Sequence, residues 1–262
     1  MRIQEIIIPL KTENQDTKHC MFEWIYFANP VPNIDTRAVH SVRVALGKKL
    51  ATQIQSTDDK WDVVIPVPDT SRIAAQSIAE VLGLPFVEAI IKNRYMHRTF
   101  IMENPGKRSE FASQKYLYIQ ELIQDKNILI VDDSIVRGLT SKLIVKKLFS
   151  LGAKTVGFAV TSPPIRHPCY YGVDFSTKKE LIAHEKTLEQ IQEWLEVTKL
   201  YYLSNEDLHA SIELSICDAC ITGDYPTTYG KKLGELANKG ELSDSNRHYE
   251  QIGSSNVLTN SD

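Results

Sequence analysis

Hydrophobic and polar positions along the chain follow two rhythms. Val63-Val64-Ile65, Ile128-Leu129-Ile130-Val131 and Val156-Gly157-Phe158-Ala159-Val160 are short, almost wholly apolar runs. The first two lead through polar turns into segments whose apolar residues recur every three or four positions. These segments run from Arg72 to Leu82, stopped at Gly83, and from Ser141 to about Leu151, stopped at Gly152. The apolar runs predict buried strands and the second rhythm predicts amphipathic helices. Their alternation predicts an α/β fold, with a parallel sheet flanked by helices on both faces. In such sheets ligands bind beyond the carboxyl ends of the strands, where the turns after Ile65 and Val131 fall.

The flanking segments are less regular. The aromatic and β-branched stretch Cys20–Phe27 has the composition of a strand, and Pro30, Pro32 and Asn33 mark a loop after it. From Thr36, suited to an N-cap, to Ala51, the apolar residues Val39, Val42, Leu46 and Leu50 predict a helix. Helical patterns return at 176–183, 187–195 and 205–216. Residues 92–126 are rich in Lys and Arg and show no sustained period, so this long connection is either functional or disordered. From about Thr227 the chain turns polar, which predicts a frayed tail.

Composition narrows the classes. The 262 residues are 42% hydrophobic and 24% charged, which suits a globular chain with a substantial core and excludes a fibre or a disordered chain. A net charge of −3 offers no electrostatic footprint for nucleic acid or an anionic membrane surface. No apolar run approaches the roughly 18 residues of a membrane span, and Met1-Arg2-Ile3-Gln4-Glu5 does not read as the start of a secretory signal. There are four cysteines, Cys20, Cys169, Cys217 and Cys220, the last two in a C-x-x-C. The expectation is a reduced, cytoplasmic compartment and thiols open to metal, redox chemistry or neither.

The most informative run is Ile128 to Ser141. A buried strand delivers Asp132-Asp133 into the turn Ser134-Ile135-Val136-Arg137-Gly138-Leu139-Thr140, and a helix begins at its end. A bare Asp-Asp would suit an ordinary solvated turn. The whole run instead suits a sugar-phosphate cradle. Amides at a helix N-terminus bind phosphate, and the carboxylates can take ribose hydroxyls or Mg²⁺.

This run resembles the phosphoribosyl-pyrophosphate motif of type I phosphoribosyltransferases. Its continuation Asp-Ser-Ile-Val-Arg-Gly narrows the likeness to the glutamine phosphoribosylpyrophosphate amidotransferase family. Also similar are Cys20–Ala28, Val64–Ser71, Lys92–Ile101 and Ser162–Asp174. The resemblance runs from about Cys20 to Tyr225. It implies a type I phosphoribosyltransferase fold over 20–226, an N-terminal extension over 1–19 and a polar mobile tail over 227–262.

The implied activity is transfer of the ribosyl carbon from pyrophosphate to ammonia, giving 5-phosphoribosylamine. On this likeness Asp132 and Asp133 are the ribose and Mg²⁺ acids, and Ser134, Ile135, Val136, Arg137, Gly138, Leu139, Thr140 and Ser141 form the 5′-phosphate loop. Asp69, Thr70 and Ser71 belong to the pyrophosphate loop, with Thr70 a Mg²⁺ ligand. Lys92, Arg94, Tyr95, Arg98, Arg108 and Lys115 fall in a flexible catalytic loop. That loop would close over the donor and keep water from hydrolysing it. The four cysteines match the ligands of a [4Fe–4S] cluster in those relatives that carry one, with a Cys₄ zinc site the chemical rival.

Some positions depart from the family pattern. Leu139 stands where a Thr hydroxyl is usual, His97 replaces a Gly and Ser113 an Arg. The family's glutaminase works through a first-residue Cys, whereas here the chain begins Met1-Arg2 and the first cysteine is Cys20. The expectation is a stand-alone transferase using ammonia, free or delivered by a separate glutaminase subunit. The alternatives are a donor-sensing regulatory protein without turnover and a transferase to another small amine. Homo-oligomers and inhibition by a purine nucleotide are further implications of the likeness.

Overall fold

In the computed structural model, residues 17–93, 115–175 and 177–239 are described. The centre is a parallel sheet of β4 (Val63–Pro66), β7 (Asn127–Asp132), β8 (Thr155–Val160) and β9 (Lys199–Tyr202), in that spatial order. Register is continuous, with Val63 opposite Ile128, Ile128 opposite Val156 and Gly157 opposite Lys199. Strands buried on both faces explain the unbroken apolar runs. Val64, Leu129, Val131 and Ala159 pack on one side against α1 (Val39–Gln55), α2 (Arg72–Leu82) and α5 (Asn205–Ile212). Ile65, Ile128, Ile130 and Phe158 pack on the other against α3 (Leu139–Ser150) and α4 (Leu188–Leu195). The expected α/β architecture is therefore the one observed. α2 ends where the sequence stops it, at Gly83 with φ 66°.

Elsewhere the structure differs from the sequence reading. Of the segment read as a strand, Cys20–Phe27, only Cys20 is extended, as the end of β1 (His19–Cys20). The chain then coils, closing in a π-turn over Glu23–Phe27. A half-buried strand buries alternate residues, but here Met21, Phe22, Trp24 and Ile25 are all buried, which coiled backbone allows. The helix expected from Thr36 begins at Val39, after a small antiparallel pair of β2 (Asn33–Ile34) and β3 (Arg37–Ala38). The helical pattern over 176–183 is reduced to a short 3₁₀ turn at Lys178–Glu180. The pattern over 205–216 ends at Ile212, because Ile216–Cys217 (β10) leaves to pair in parallel with β1.

The tail expected from Thr227 opens with a helix, α7 (Thr228–Asn238). The Thr227 side chain accepts the Gly230 amide at 3.0 Å, and Leu233 packs with Tyr170 and Tyr225. Residues 240–262 and 1–16 lie outside the described residues. No described helix is long and apolar enough to cross a membrane.

Candidate functional site

Beyond the carboxyl ends of β4 and β7 lies a cavity of about 600 Å³. The turn after β4 supplies Asp69 and Thr70, and a cis peptide joins Pro68 to Asp69. β7 delivers Asp132 and Asp133, and Ser134 to Ser141 curl around one side into the first turn of α3.

The acids are locked together. The Thr70 hydroxyl donates to Asp133 Oδ2, Ser134 Oγ donates to Asp133 Oδ1 at 2.8 Å, and the Asp133 amide donates to Asp132 Oδ1 at 2.9 Å. Burial drives both carboxyls above the ordinary carboxylate range, Asp132 well above it, and for Asp132 the charge of Asp133 adds to the rise. The hydroxyl donors, with Arg43 and Lys115, pull Asp133 back only in part. An acid pair held this way is short of positive charge. A divalent cation or a set of sugar hydroxyls would meet that need.

Most of the residues expected from the sequence meet here. Asp69, Thr70, Lys92, Lys115, Asp132, Asp133 and the whole loop 134–141 line the one cavity. Gly138 turns the loop with φ 76° at the start of α3, whose first amides lack helical acceptors. Arg137 lines the cavity but spends its guanidinium on Glu180, 2.8 Å away. Leu139 is 62% exposed.

Ser71 stands apart from its neighbours: it is buried, its Oγ donates to the Val67 carbonyl beneath the turn, and its side chain does not line the cavity. Arg94, Tyr95, His97, Arg98, Arg108 and Ser113 lie outside the described residues. The stem of that loop is described: β5 (Ile90–Lys92) pairs antiparallel with β6 (Tyr116–Tyr118), and the Asn93 amide donates to the Lys115 carbonyl at 2.9 Å. Lys92 Nζ stands 3.2 Å from Asp69 Oδ2.

Sequence reasoning missed Tyr26, Phe27 and Tyr116, which complete the wall. Tyr26 and Phe27 are about half exposed and meet edge to face at 5.3 Å between centroids. The signal was the aromatic run itself, which the strand reading left without a role.

A second cavity, of about 210 Å³, is lined by Cys20, Cys169, Cys217 and Cys220. Cys20 and Cys217 are register partners in the β1–β10 pair, and Cys220 lies on the short α6 (Ala219–Thr222). Cys169 Sγ accepts the Tyr171 amide at 3.4 Å. All four thiols are free. Burial, with the neighbouring thiols adding to it, pushes Cys20 up to about 11 and raises Cys217 and Cys220 as well. Among the described residues, no three or more His, Cys, Asp or Glu side chains stand close enough to hold a metal ion. The expected metal ligands are thus gathered around cavities, and neither set is a compact single-ion site.

The family described as "Phosphoribosyl transferase domain" matches residues 39–202. The amidophosphoribosyltransferase of Methanothermobacter thermautotrophicus is 40% identical over 225 residues, which are 85% of this chain and 47% of that protein. The Methanocaldococcus jannaschii protein of the same name is 44% identical over 82% of this chain and 46% of its own length. Among solved structures, the glutamine phosphoribosylpyrophosphate amidotransferase of B. subtilis, complexed with ADP and GMP, superposes with a TM-score of 0.75. It is 38% identical and covers 90% of this chain and 50% of that one. The chain spans about half the length of the curated relatives it matches.

Proposed function

The chain belongs to the phosphoribosyl transferase domain family, and from that premise we propose that it takes phosphoribosyl pyrophosphate as donor and forms 5-phosphoribosylamine with ammonia. The observation carrying this reading is that one cavity gathers the Asp69–Thr70 turn, the Asp132–Asp133 pair and the loop 134–141. The loop and the N-terminus of α3 receive the donor's 5′-phosphate through backbone amides. Asp132 and Asp133 receive the ribose hydroxyls. The turn at Asp69 and Thr70 receives the pyrophosphate, with Lys92 and Lys115 on the same wall.

Mg²⁺ fits the acid pair. Its two carboxyls, raised by burial and adjacency, want a cation, and Mg²⁺ in phosphate-bound sites takes only one or two carboxylates with the rest from substrate oxygens. A compact three-ligand cage is therefore not required. Thr70, Asp132 and Asp133 would hold the ion, which supplies charge neutralisation for the departing pyrophosphate.

The chemistry asked of the protein is mainly orientation and electrostatics. The nitrogen lone pair of neutral ammonia forms the new bond to the ribosyl carbon. The bond from that carbon to the pyrophosphate oxygen breaks with its electron pair, and the resulting ammonium releases one proton to solvent. Lys92 and Lys115, on the cavity wall, are placed to meet the charge of the donor's phosphates.

Cys20, Cys169, Cys217 and Cys220 would hold a [4Fe–4S] cluster of structural role. Four free thiols around one cavity support this, with a Cys₄ zinc site as the chemical rival. The free thiols also suit a reduced, cytoplasmic compartment.

The test is pyrophosphate release from donor and Mg²⁺ with ammonium chloride, with glutamine or with neither. We expect release with ammonium, rising with pH as the NH₃ fraction grows, and none with glutamine unless a separate glutaminase is added. Release with glutamine and this chain alone would overturn the ammonia assignment. Tight donor binding without release under any condition would favour the donor-sensing reading, for which the exposed Leu139 in the phosphate loop is the specific support.

A further inference from the structure

Arg43 lies on the inward face of α1 beside Val39, Val42 and Leu46 and is 4% exposed. A guanidinium removed from water is costly unless its donors are met. Here Nε donates to the Trp24 carbonyl at 2.7 Å, and Nη2 donates to the Ala28 carbonyl at 2.9 Å and reaches that of Tyr26 at 3.4 Å. One planar fork thus collects two carbonyls of the Glu23–Phe27 turn and that of its cap, Ala28, and the turn's own backbone closes through the Ala28 amide to Glu23 at 2.9 Å. Trp24 and Ile25 of that turn are sunk in the core, while Tyr26 and Phe27 form the cavity wall. The positive charge of Arg43 also acts on Asp133, whose carboxyl lies on the cavity's acid edge.

We infer that Arg43 is a positioning residue: from within the core it fixes the Tyr26–Phe27 wall relative to the acid pair, so that the wall packs on the bound sugar-phosphate donor. This rests on the reading of the cavity as the donor site. An apolar side chain could fill the space but could not cap three carbonyls. A lysine keeps the charge but carries its donors on one atom, so it cannot reproduce the Nε and Nη2 bonds of the fork, which leave from two separate atoms.

The experiment is a double-mutant cycle on the full chain, with donor binding by calorimetry in Mg²⁺ and steady-state kinetics with ammonium. Arg43→Lys should raise the donor KM about tenfold, the equivalent of one charge-assisted hydrogen bond, with a smaller change in kcat. In a Tyr26→Ala/Phe27→Ala background the same substitution should add less than about twofold, because the wall it positions is gone. A merely structural arginine would give the same factor in both backgrounds, and that result overturns the inference, as does an unchanged KM in a folded Arg43→Lys protein. Should Arg43→Lys fail to fold, the Tyr26→Ala/Phe27→Ala protein decides alone: an unchanged donor KM removes the wall's role and with it that of Arg43. Failure of wild-type protein to bind donor would instead overturn the reading of the cavity, and so the two failures are distinguishable.

Discussion

Replacing Gly138 by alanine tests whether the phosphate loop is held by backbone geometry and packing together. Gly138 sits at φ 76°, where a side chain costs roughly 1–2 kcal/mol. An added Cβ would also stand 2.8 Å from both Ile182 Cδ1 and Trp194 Cζ3, closer than real contacts allow. A shift of Trp194 to make room would also disturb Lys142, which rests over its ring at 4.6 Å. Overpacking of this kind costs about 1–3 kcal/mol, so the two effects sum to about 2–5 kcal/mol. Gly83 is the control. Its φ is 66°, but nothing lies within 4 Å of its added Cβ, so Gly83→Ala should carry only the backbone cost of about 1–2 kcal/mol. Urea unfolding of the three proteins measures both losses. The donor KM should rise about tenfold or more in Gly138→Ala, as expected for about 1.4 kcal/mol of lost loop complementarity, and stay unchanged in Gly83→Ala. Equal destabilisation by the two substitutions, or a normal donor KM in Gly138→Ala, would refute the reasoning.

Other expectations follow from the acids, the turn and the thiols. Asp132→Asn should lower turnover about a hundredfold while stabilising the fold at neutral pH. The folded-state carboxyl lies above its unfolded value of 3.8, so wild type loses stability as pH rises from 3.8 through the folded value, and the variant's advantage should vanish once the pH falls below 3.8. Denaturant midpoints at acid and neutral pH check the sign. Ser71→Ala leaves the buried Val67 carbonyl without its hydroxyl donor and should cost about 1–3 kcal/mol in urea, with the donor KM disturbed less than by Gly138→Ala. Cys220→Ser should remove iron, sulfide and absorbance near 400 nm together from anaerobically purified protein and lower the melting temperature. Stoichiometric zinc without sulfide in the wild-type protein would refute the cluster.

The sheet was legible because burial on both faces writes itself as unbroken apolar runs, and the runs at 63–65, 128–131 and 156–160 needed no tertiary knowledge. β9 was missed because Lys199-Leu200-Tyr201-Tyr202 mixes a cation and two phenols with its one aliphatic residue. The Phe22–Phe27 turn misled for a different reason. Its composition favours strands, but the burial of Trp24 and Ile25 and the capping by Arg43 are decided by residues far along the chain. Of the cavity lining, Asp132, Asp133 and the loop 134–141 were readable because they follow one another directly from the end of β7. The aromatic wall was not, because only the fold brings Tyr26 and Tyr116 to the same cavity. Ser71 looked like its neighbours in sequence, and only its inward rotation separates it from Thr70.

The parallel pairing of His19–Cys20 with Ile216–Cys217 has a consequence for the order in which the protein matures. On the ribosome the segment that carries Tyr26 and Phe27 emerges well before β10 and has no partner strand until Ile216–Cys217 has been made. Closing so long a loop is entropically costly and slow compared with the local βα units between them. The central sheet can therefore assemble during synthesis, at about 5–20 residues per second, while the thiol cavity stays open to the last. A nascent chain stalled before Cys217 would hold the acid pair and phosphate loop but leave the register partner of Cys20 unmade. Completion of β10 would thus be the step that commits the segment around Cys20 to its place.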